Sequence, residues 1–134
     1  MTDGTLRGQL TPGTWFLVSC DNTNQPVCAN PDGRLDFDVS RYSMLLMAKG
    51  RPKVAASPVR NATPEEYKSI AQGVVANYGT WSADEASKTV TLKVERAFFP
   101  NAEGSEIKGT VDVTGDELKT KGPILGNAVW HRSR

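Results

Sequence analysis

The chain has 134 residues, a length that suits one domain with a single hydrophobic core. Sixteen basic and fifteen acidic residues leave a net charge of +1, and the apolar fraction of 38% is that of a globular chain, not a disordered one. No run of Lys or Arg marks one face, and no apolar run approaches the roughly 20 residues that span a bilayer, so we expect neither a nucleic acid nor a membrane as partner.

The N-terminal stretch, residues 1–10, lacks the apolar core of a signal peptide, so the expected compartment is the cytoplasm. Its glycines and weak periodicity predict a flexible N-terminal arm over residues 1–10, followed by one domain over residues 11–134. Residues 14–20 form the first predicted strand. Residues 21–33, rich in Asn, Pro, Asp and Gly, form a long loop.

Cys20 and Cys28, the two cysteines of the chain, bracket a turn-rich segment of that loop. They could close it by a disulfide, but two free thiols are the favoured expectation because no secretion signal is visible. One histidine and two cysteines in a C-x7-C spacing do not make a zinc site, so we expect no bound metal.

The next two strands follow in close succession. Residues 34–39 predict a strand with one buried face, because Leu35, Phe37 and Val39 alternate with acidic and basic residues. Residues 42–48 predict a third strand that is apolar on both faces. One of those faces could look into a barrel while the other lies under another element.

A single α-helix is predicted after the third strand. The motif from Thr63 to Glu66 is a strong helix start, with Thr as N-cap, Pro at the first helical position and Glu closing a capping box. Apolar residues then recur at helical spacing up to position 78. The helix should therefore end near Asn77 or Tyr78, before Gly79.

Five further strands are predicted in the second half of the chain, over residues 80–83, 89–96, 106–113, 117–121 and 127–132. Thr114-Gly115-Asp116 is a hairpin turn signal between two of them. Eight antiparallel strands suffice for a closed barrel that holds one small ligand. The predicted fold is all-β: an eight-stranded up-and-down antiparallel barrel with one α-helix inserted between the third and fourth strands.

The connections of this barrel separate by length. If the first strand starts at one end, the floor, then the long connections after the first, third, fifth and seventh strands gather at the other end, the mouth. The tight turns fall at the floor. Arg132 returns there beside Trp15, where a guanidinium stacked on an indole would contribute about 0.5–2 kcal/mol as a cation–π contact.

The motif Gly13-Thr14-Trp15, with a late Arg132, resembles the structural signature shared by lipocalins and their calycin relatives. More closely, the chain resembles the lipocalin-like domain family of small bacterial and fungal proteins over most of residues 11–132. The matching stretches are residues 13–19, 33–38, 78–81, 89–92, 100–101 and 130–132. The resemblance implies a barrel with a small-molecule cavity, in a family that includes ligand carriers and proteins of natural-product pathways.

This chain departs from that family at two positions. Members often carry His where Leu92 stands, and Arg where Lys108 stands. Any chemistry that those residues perform in relatives is therefore not carried over to this chain.

The alternation along each predicted strand indicates which side chains should line the interior. The predicted ligand-binding residues are Leu35, Phe37, Tyr42, Met44, Leu46, Trp81, Leu92, Val94 and Arg96. Tyr42 could donate a hydrogen bond to a ligand oxygen low in the cavity, or bond to backbone as a core residue. Trp81 is expected near the mouth, either as a lid or packed under the helix. Arg96 shares the inward phase of its strand and could pair with a ligand carboxylate or phosphate, or splay into solvent.

Other polar residues are expected to face outward. His131 is out of phase with Trp130 and Arg132, and Asp36 and Asp38 lie on the face opposite to the apolar residues of their strand. No Ser-nucleophile motif, Gly-rich phosphate loop or dinucleotide fingerprint appears.

Two functions follow, with a third reading in which side chains fill the barrel of a purely structural domain. The first is binding of a small apolar or amphipathic molecule in the cavity. The alternative is a cofactor-free isomerase, cyclase or lyase acting on a small, natural-product-like substrate, with Tyr42 and Arg96 polarising a carbonyl. Two or more inward polar groups that converge on one spot of the interior would favour the enzyme. An all-apolar lining would favour the carrier. No cofactor is expected. The sequence leaves the oligomeric state open, and a homodimer could pair through a sheet edge or the outer face of the third strand.

Overall fold

The computed structural model describes residues 4–133, in which eight antiparallel strands form a closed β-barrel. Each strand pairs with the next along the chain, and β1 pairs with β8 to close the barrel. The strands are β1 Gly13–Cys20, β2 Gly33–Phe37, β3 Arg41–Met47, β4 Val74–Asp84, β5 Thr89–Ala97, β6 Glu106–Thr114, β7 Glu117–Gly122 and β8 Gly126–Arg132. The predicted all-β, eight-stranded up-and-down barrel is confirmed.

The N-terminal segment contains a helix that was not predicted. Residues expected to be a flexible arm include the helix α1, Leu6–Leu10, and residues 1–3 lie outside the described part of the chain. Leu6 and Leu10 are buried in the barrel core, and the backbone N–H of Leu6 donates to the Glu85 carboxylate at 2.6 Å. Two leucines four residues apart lie on one face of a helical turn, and that face covers the floor. Five residues are too few for such a periodicity to be detected in the sequence.

The second helix begins as predicted and ends earlier. In α2, Pro64–Ala71, the Thr63 hydroxyl accepts from the Glu66 N–H, and the Glu66 carboxylate accepts from the Thr63 N–H, which completes the capping box. The chain then turns at Gly73, whose φ is 79°, and enters β4 at once. Pairing of residues 74–80 with β3 therefore prevails over the helical pattern, and the fourth strand has 11 residues, not four.

The floor contact between the first and last strands is confirmed. Trp15 and Arg132 are paired in register, and the guanidinium carbon of Arg132 lies 4.4 Å from the centroid of the Trp15 ring. The same guanidinium donates to the carbonyl of Gln9 in α1. Arg132 thus joins the first strand, the last strand and the N-terminal helix.

The expectation of two free thiols is wrong, because Cys20 and Cys28 are joined by a disulfide. The loop between them folds back through a 3₁₀ turn at Pro26–Ala29, which brings the two Cα atoms to 5.1 Å. Val27, inside this turn, is fully buried. The disulfide therefore fixes an apolar side chain of the first loop over the mouth of the barrel.

Candidate functional site

Seven of the nine predicted ligand-binding residues lie on β2, β3 and β5 and are buried in the interior. Their side chains alternate inward with a period of two, and each is at most 6% exposed. These residues are Leu35, Phe37, Tyr42, Met44, Leu46, Leu92 and Val94. The inward phase of these three strands was predicted correctly, and a role in ligand binding stays a prediction for all seven.

An apolar cavity of about 80 Å³ lies inside the barrel, so its interior is not completely filled by side chains. Leu35, Phe37, Met44 and Leu92 line it from one side. The Thr120 hydroxyl on its wall accepts a hydrogen bond from the indole N–H of Trp130 at 3.0 Å, so the buried indole N–H has its partner.

The opposite wall of the cavity was missed in the choice of site residues. It consists of side chains from β6 to β8 and from the short turn between β7 and β8. These are Ile107, Val111, Leu118, Ile124, Leu125 and Trp130. A signal was present, because Leu118 with Thr120 and Ala128 with Trp130 continue the same alternation. A closed barrel has a cavity wall on every strand, so all eight strands contribute candidates.

A buried polar pair, Tyr42 and Asn77, faces the interior of the barrel. The Tyr42 hydroxyl donates to the side-chain oxygen of Asn77 at 2.6 Å. Tyr42 is 3% exposed and Asn77 is 7% exposed. Burial, aided by the negative charge of Glu95, raises the pKa of Tyr42 well above its ordinary value, so the phenol stays protonated and acts as a donor. Asn77 was missed because it was placed in the predicted helix, whereas it lies in β4.

Arg96 does not face the cavity, which corrects the prediction for this residue. A β-bulge interrupts the pairing of β4 and β5, with Tyr78 opposite Arg96 but Gly79 opposite Val94. The extra residue, Glu95, shifts the phase of the strand, so Arg96 is exposed and its guanidinium donates to the Glu95 carbonyl. The predicted pairing of Arg96 with Tyr42 on a carbonyl is therefore not assembled.

Trp81 is also corrected, because it lies at the floor and not near the mouth. β4 starts at the mouth and ends at the floor, so a residue late in the strand is low in the barrel. Its indole N–H donates to the Asp38 carbonyl at 2.8 Å, and the guanidinium of Arg7 lies 4.1 Å from its ring centroid. Trp81 anchors the N-terminal helix to the barrel and takes no part in the mouth.

A second, open pocket of about 250 Å³ lies at the mouth, between the ends of β4 and β5 and the loops that follow β1 and β5. Asn77 borders this mouth pocket, and Ile107 and Ile124 border both the mouth pocket and the interior cavity. Phe98 and Phe99, which are 50% and 63% exposed, form part of its rim. The two spaces are thus neighbours, and exposed aromatic side chains surround the opening.

The remaining polar candidates face outward, as predicted. The His131 side chain is largely exposed and lies 3.8 Å from the Glu117 carboxylate. Asp36 lies on the outer face, 3.3 Å from the Arg34 guanidinium. Within residues 4–133, no three His, Cys, Asp or Glu side chains form a group that could hold a metal ion, and no helix is long and apolar enough to cross a membrane.

The fold and the cavity together define a class, the closed eight-stranded β-barrels with an apolar interior site, a fold that suits binding of a small molecule. The family model of the lipocalin-like domain matches residues 12–134, so the chain belongs to that family. No curated protein and no solved structure matches the chain.

Proposed function

We propose that this protein binds a small apolar or amphipathic molecule inside its barrel. The observation that carries the proposal is the interior cavity, which is lined almost entirely by hydrocarbon side chains. Burying such a surface favours an apolar ligand by roughly 25 cal/mol for each Å² removed from water. The mouth pocket shares Ile107 and Ile124 with the cavity, and a ligand would enter from this side by displacing these two side chains.

The test fills the cavity and asks whether binding is lost. Ethylbenzene is a neutral single-ring probe that exceeds the cavity alone, since a cavity of about 150 Å³ holds benzene, so its binding requires part of the probe to extend toward the mouth pocket. It should raise the melting temperature of the wild-type protein, because a ligand that binds only the folded state stabilises it. Val90→Phe adds a ring to a buried wall of the cavity. This variant should lose the ethylbenzene response while still unfolding cooperatively.

The matched control is Val18→Phe, the same change at a strand residue that is 46% exposed. It should keep the wild-type response to ethylbenzene. No response in the wild-type protein over a panel of single-ring compounds would contradict binding in the cavity. An equal response in both variants would place the ligand elsewhere.

A second candidate function is a cofactor-free isomerase, cyclase or lyase that acts on a small, natural-product-like substrate. Its support is the convergence of Tyr42 and Asn77, two polar side chains at one point of an otherwise apolar interior. Arg96, which faces solvent, takes no part in this version of the reaction.

Acetophenone distinguishes the two functions. An enzyme that polarises its carbonyl accelerates loss of a methyl proton to solvent and uptake of a deuteron in its place. In heavy water, NMR should then show faster disappearance of the methyl signal with the wild-type protein than with Tyr42→Phe. A carrier binds acetophenone and leaves the exchange rate at that of buffer.

A further inference from the structure

The side-chain amide of Asn77 uses only its oxygen in a hydrogen bond. Its oxygen accepts from Tyr42, whereas none of the hydrogen bonds within residues 4–133 uses its amide nitrogen. The residue is nevertheless 93% buried, as follows from its exposed fraction of 7%. The amide nitrogen is not one of the fully buried polar atoms that lack a hydrogen bond, so it keeps a small accessible surface at which a ligand could bond to it. Tyr42 occupies the oxygen of the amide in this arrangement, which leaves the nitrogen as the donor that a ligand could use.

Asn77 lies where a ligand would reach it. Asn77 borders the mouth pocket, and the neighbouring interior cavity begins behind Ile107 and Ile124. A molecule with its apolar body in the cavity would therefore bring one end to the mouth pocket. The other walls of that pocket include the apolar side chains of Val75 and Phe98.

The charges around this point disfavour an ionic partner. No ionisable side chain borders the mouth pocket among the residues that the structure describes. Lys108 and Lys121 border the interior cavity, but both are exposed and neither reaches the mouth pocket. An anionic group placed beside Asn77 would lose its water without gaining a counter-ion, which is unfavourable.

We infer that Asn77, held by Tyr42, is the polar anchor of the site and selects a neutral hydrogen-bond acceptor, such as a ketone, ester or amide carbonyl, on an otherwise apolar ligand. This inference rests on the proposed binding function. It adds the chemical class of the ligand and the residue that recognises it. Tyr42 is a positioning residue, because it orients the Asn77 amide and leaves contact with the ligand to the amide nitrogen.

The experiment compares acetophenone with ethylbenzene, which has the same ring and nearly the same shape but no carbonyl. Dissociation constants are measured by ¹⁵N chemical-shift titration of the wild-type protein and of Asn77→Leu. Hydration of the two probes differs, so the informative quantity is the change in their affinity ratio between the two proteins. Loss of one hydrogen bond should shift this ratio against acetophenone by about fivefold or more.

The two tyrosines of β3 and β4 provide a matched pair of variants. Tyr42→Phe releases the Asn77 amide to rotate, so the preference for acetophenone should decrease. Tyr78→Phe removes a hydroxyl from the adjacent, outward-facing residue, which is 49% exposed, and should leave the ratio unchanged. A direct readout in the wild-type protein needs no substitution: the side-chain NH₂ signals of Asn77 should shift with acetophenone and stay in place with ethylbenzene.

The outcomes distinguish failure of the binding function from failure of the anchor role of Asn77. If neither probe binds the wild-type protein, the binding function itself fails and the anchor fails with it. If both bind, but the ratio is the same in Asn77→Leu and the Asn77 signals do not respond to acetophenone, the anchor is refuted and the binding function stands. Benzoate tests the class of ligand, because tighter binding of this anion than of acetophenone would overturn selection of a neutral acceptor.

Discussion

Arg132→Ala removes the residue that ties the first strand, the last strand and the N-terminal helix together. The lost cation–π contact with Trp15 is worth about 0.5–2 kcal/mol, and the lost hydrogen bond from a charged donor to the Gln9 carbonyl about 1.5–3 kcal/mol. Against this, the Nε of Arg132 is buried without a hydrogen bond among the described residues and lies 3.9 Å from the Asp116 carboxylate. Leaving a donor in that state costs about 1–3 kcal/mol in the wild-type protein, a cost that the substitution removes.

The net effect of Arg132→Ala should be a loss of about 2 kcal/mol in the free energy of unfolding, or roughly 6–10 °C in melting temperature for a domain of this size. Urea unfolding followed by circular dichroism measures it. The affinity for a ligand of the cavity should not change, because Arg132 lies at the floor and the proposed route of ligand entry is at the mouth. Wild-type stability in Arg132→Ala would refute the argument that this contact holds the floor closed.

Three further changes test other parts of the fold. Leu10→Ala should lower the free energy of unfolding by about 2–5 kcal/mol in urea, because Leu10 is fully buried; no loss would mean that α1 is a loose arm in solution. Cys28→Ser should cost about 2.5 kcal/mol by the loop-entropy estimate and should not be sensitive to reductant, whereas the wild-type protein should lose the same amount when reduced. Because burial raises the pKa of Tyr42 above its ordinary value of 10.0, the folded state keeps a proton that the unfolded state loses as the pH rises above that value. The free energy of unfolding should therefore fall above about pH 10, and less steeply in Tyr42→Phe; equal slopes in urea titrations would contradict this.

The parts of the fold that were predicted correctly depend on strict alternation. Residues such as Leu35, Phe37 and Leu92 repeat with a period of two, and only an inward-facing strand buries them all. The position of Arg132 beside Trp15 followed from counting strands up and down. The strand alternation and the strand order that predict these features are not overridden by any tertiary contact.

The errors arise where a tertiary contact decides between two local patterns. Residues 74–78 fit a helix as well as a strand, and pairing with β3 chose the strand, which moved Asn77 into the interior and Trp81 to the floor. The bulge at Glu95 turned Arg96 outward. The regular alternation of the preceding residues of β5 does not predict this bulge. The position of Asn77 beside Tyr42 in the interior therefore came from the structure alone.

The measurement that tests the account most directly is an intermolecular NOE experiment on the wild-type protein with ethylbenzene. Binding inside the barrel predicts contacts from the ring protons of the probe to the methyl groups of Leu35, Leu92 and Leu118, which line the cavity on opposite sides. Contacts confined to the outer-face methyl groups of Val18 and Leu45, or no contacts at saturating probe, would contradict the claim that the barrel is a binding site.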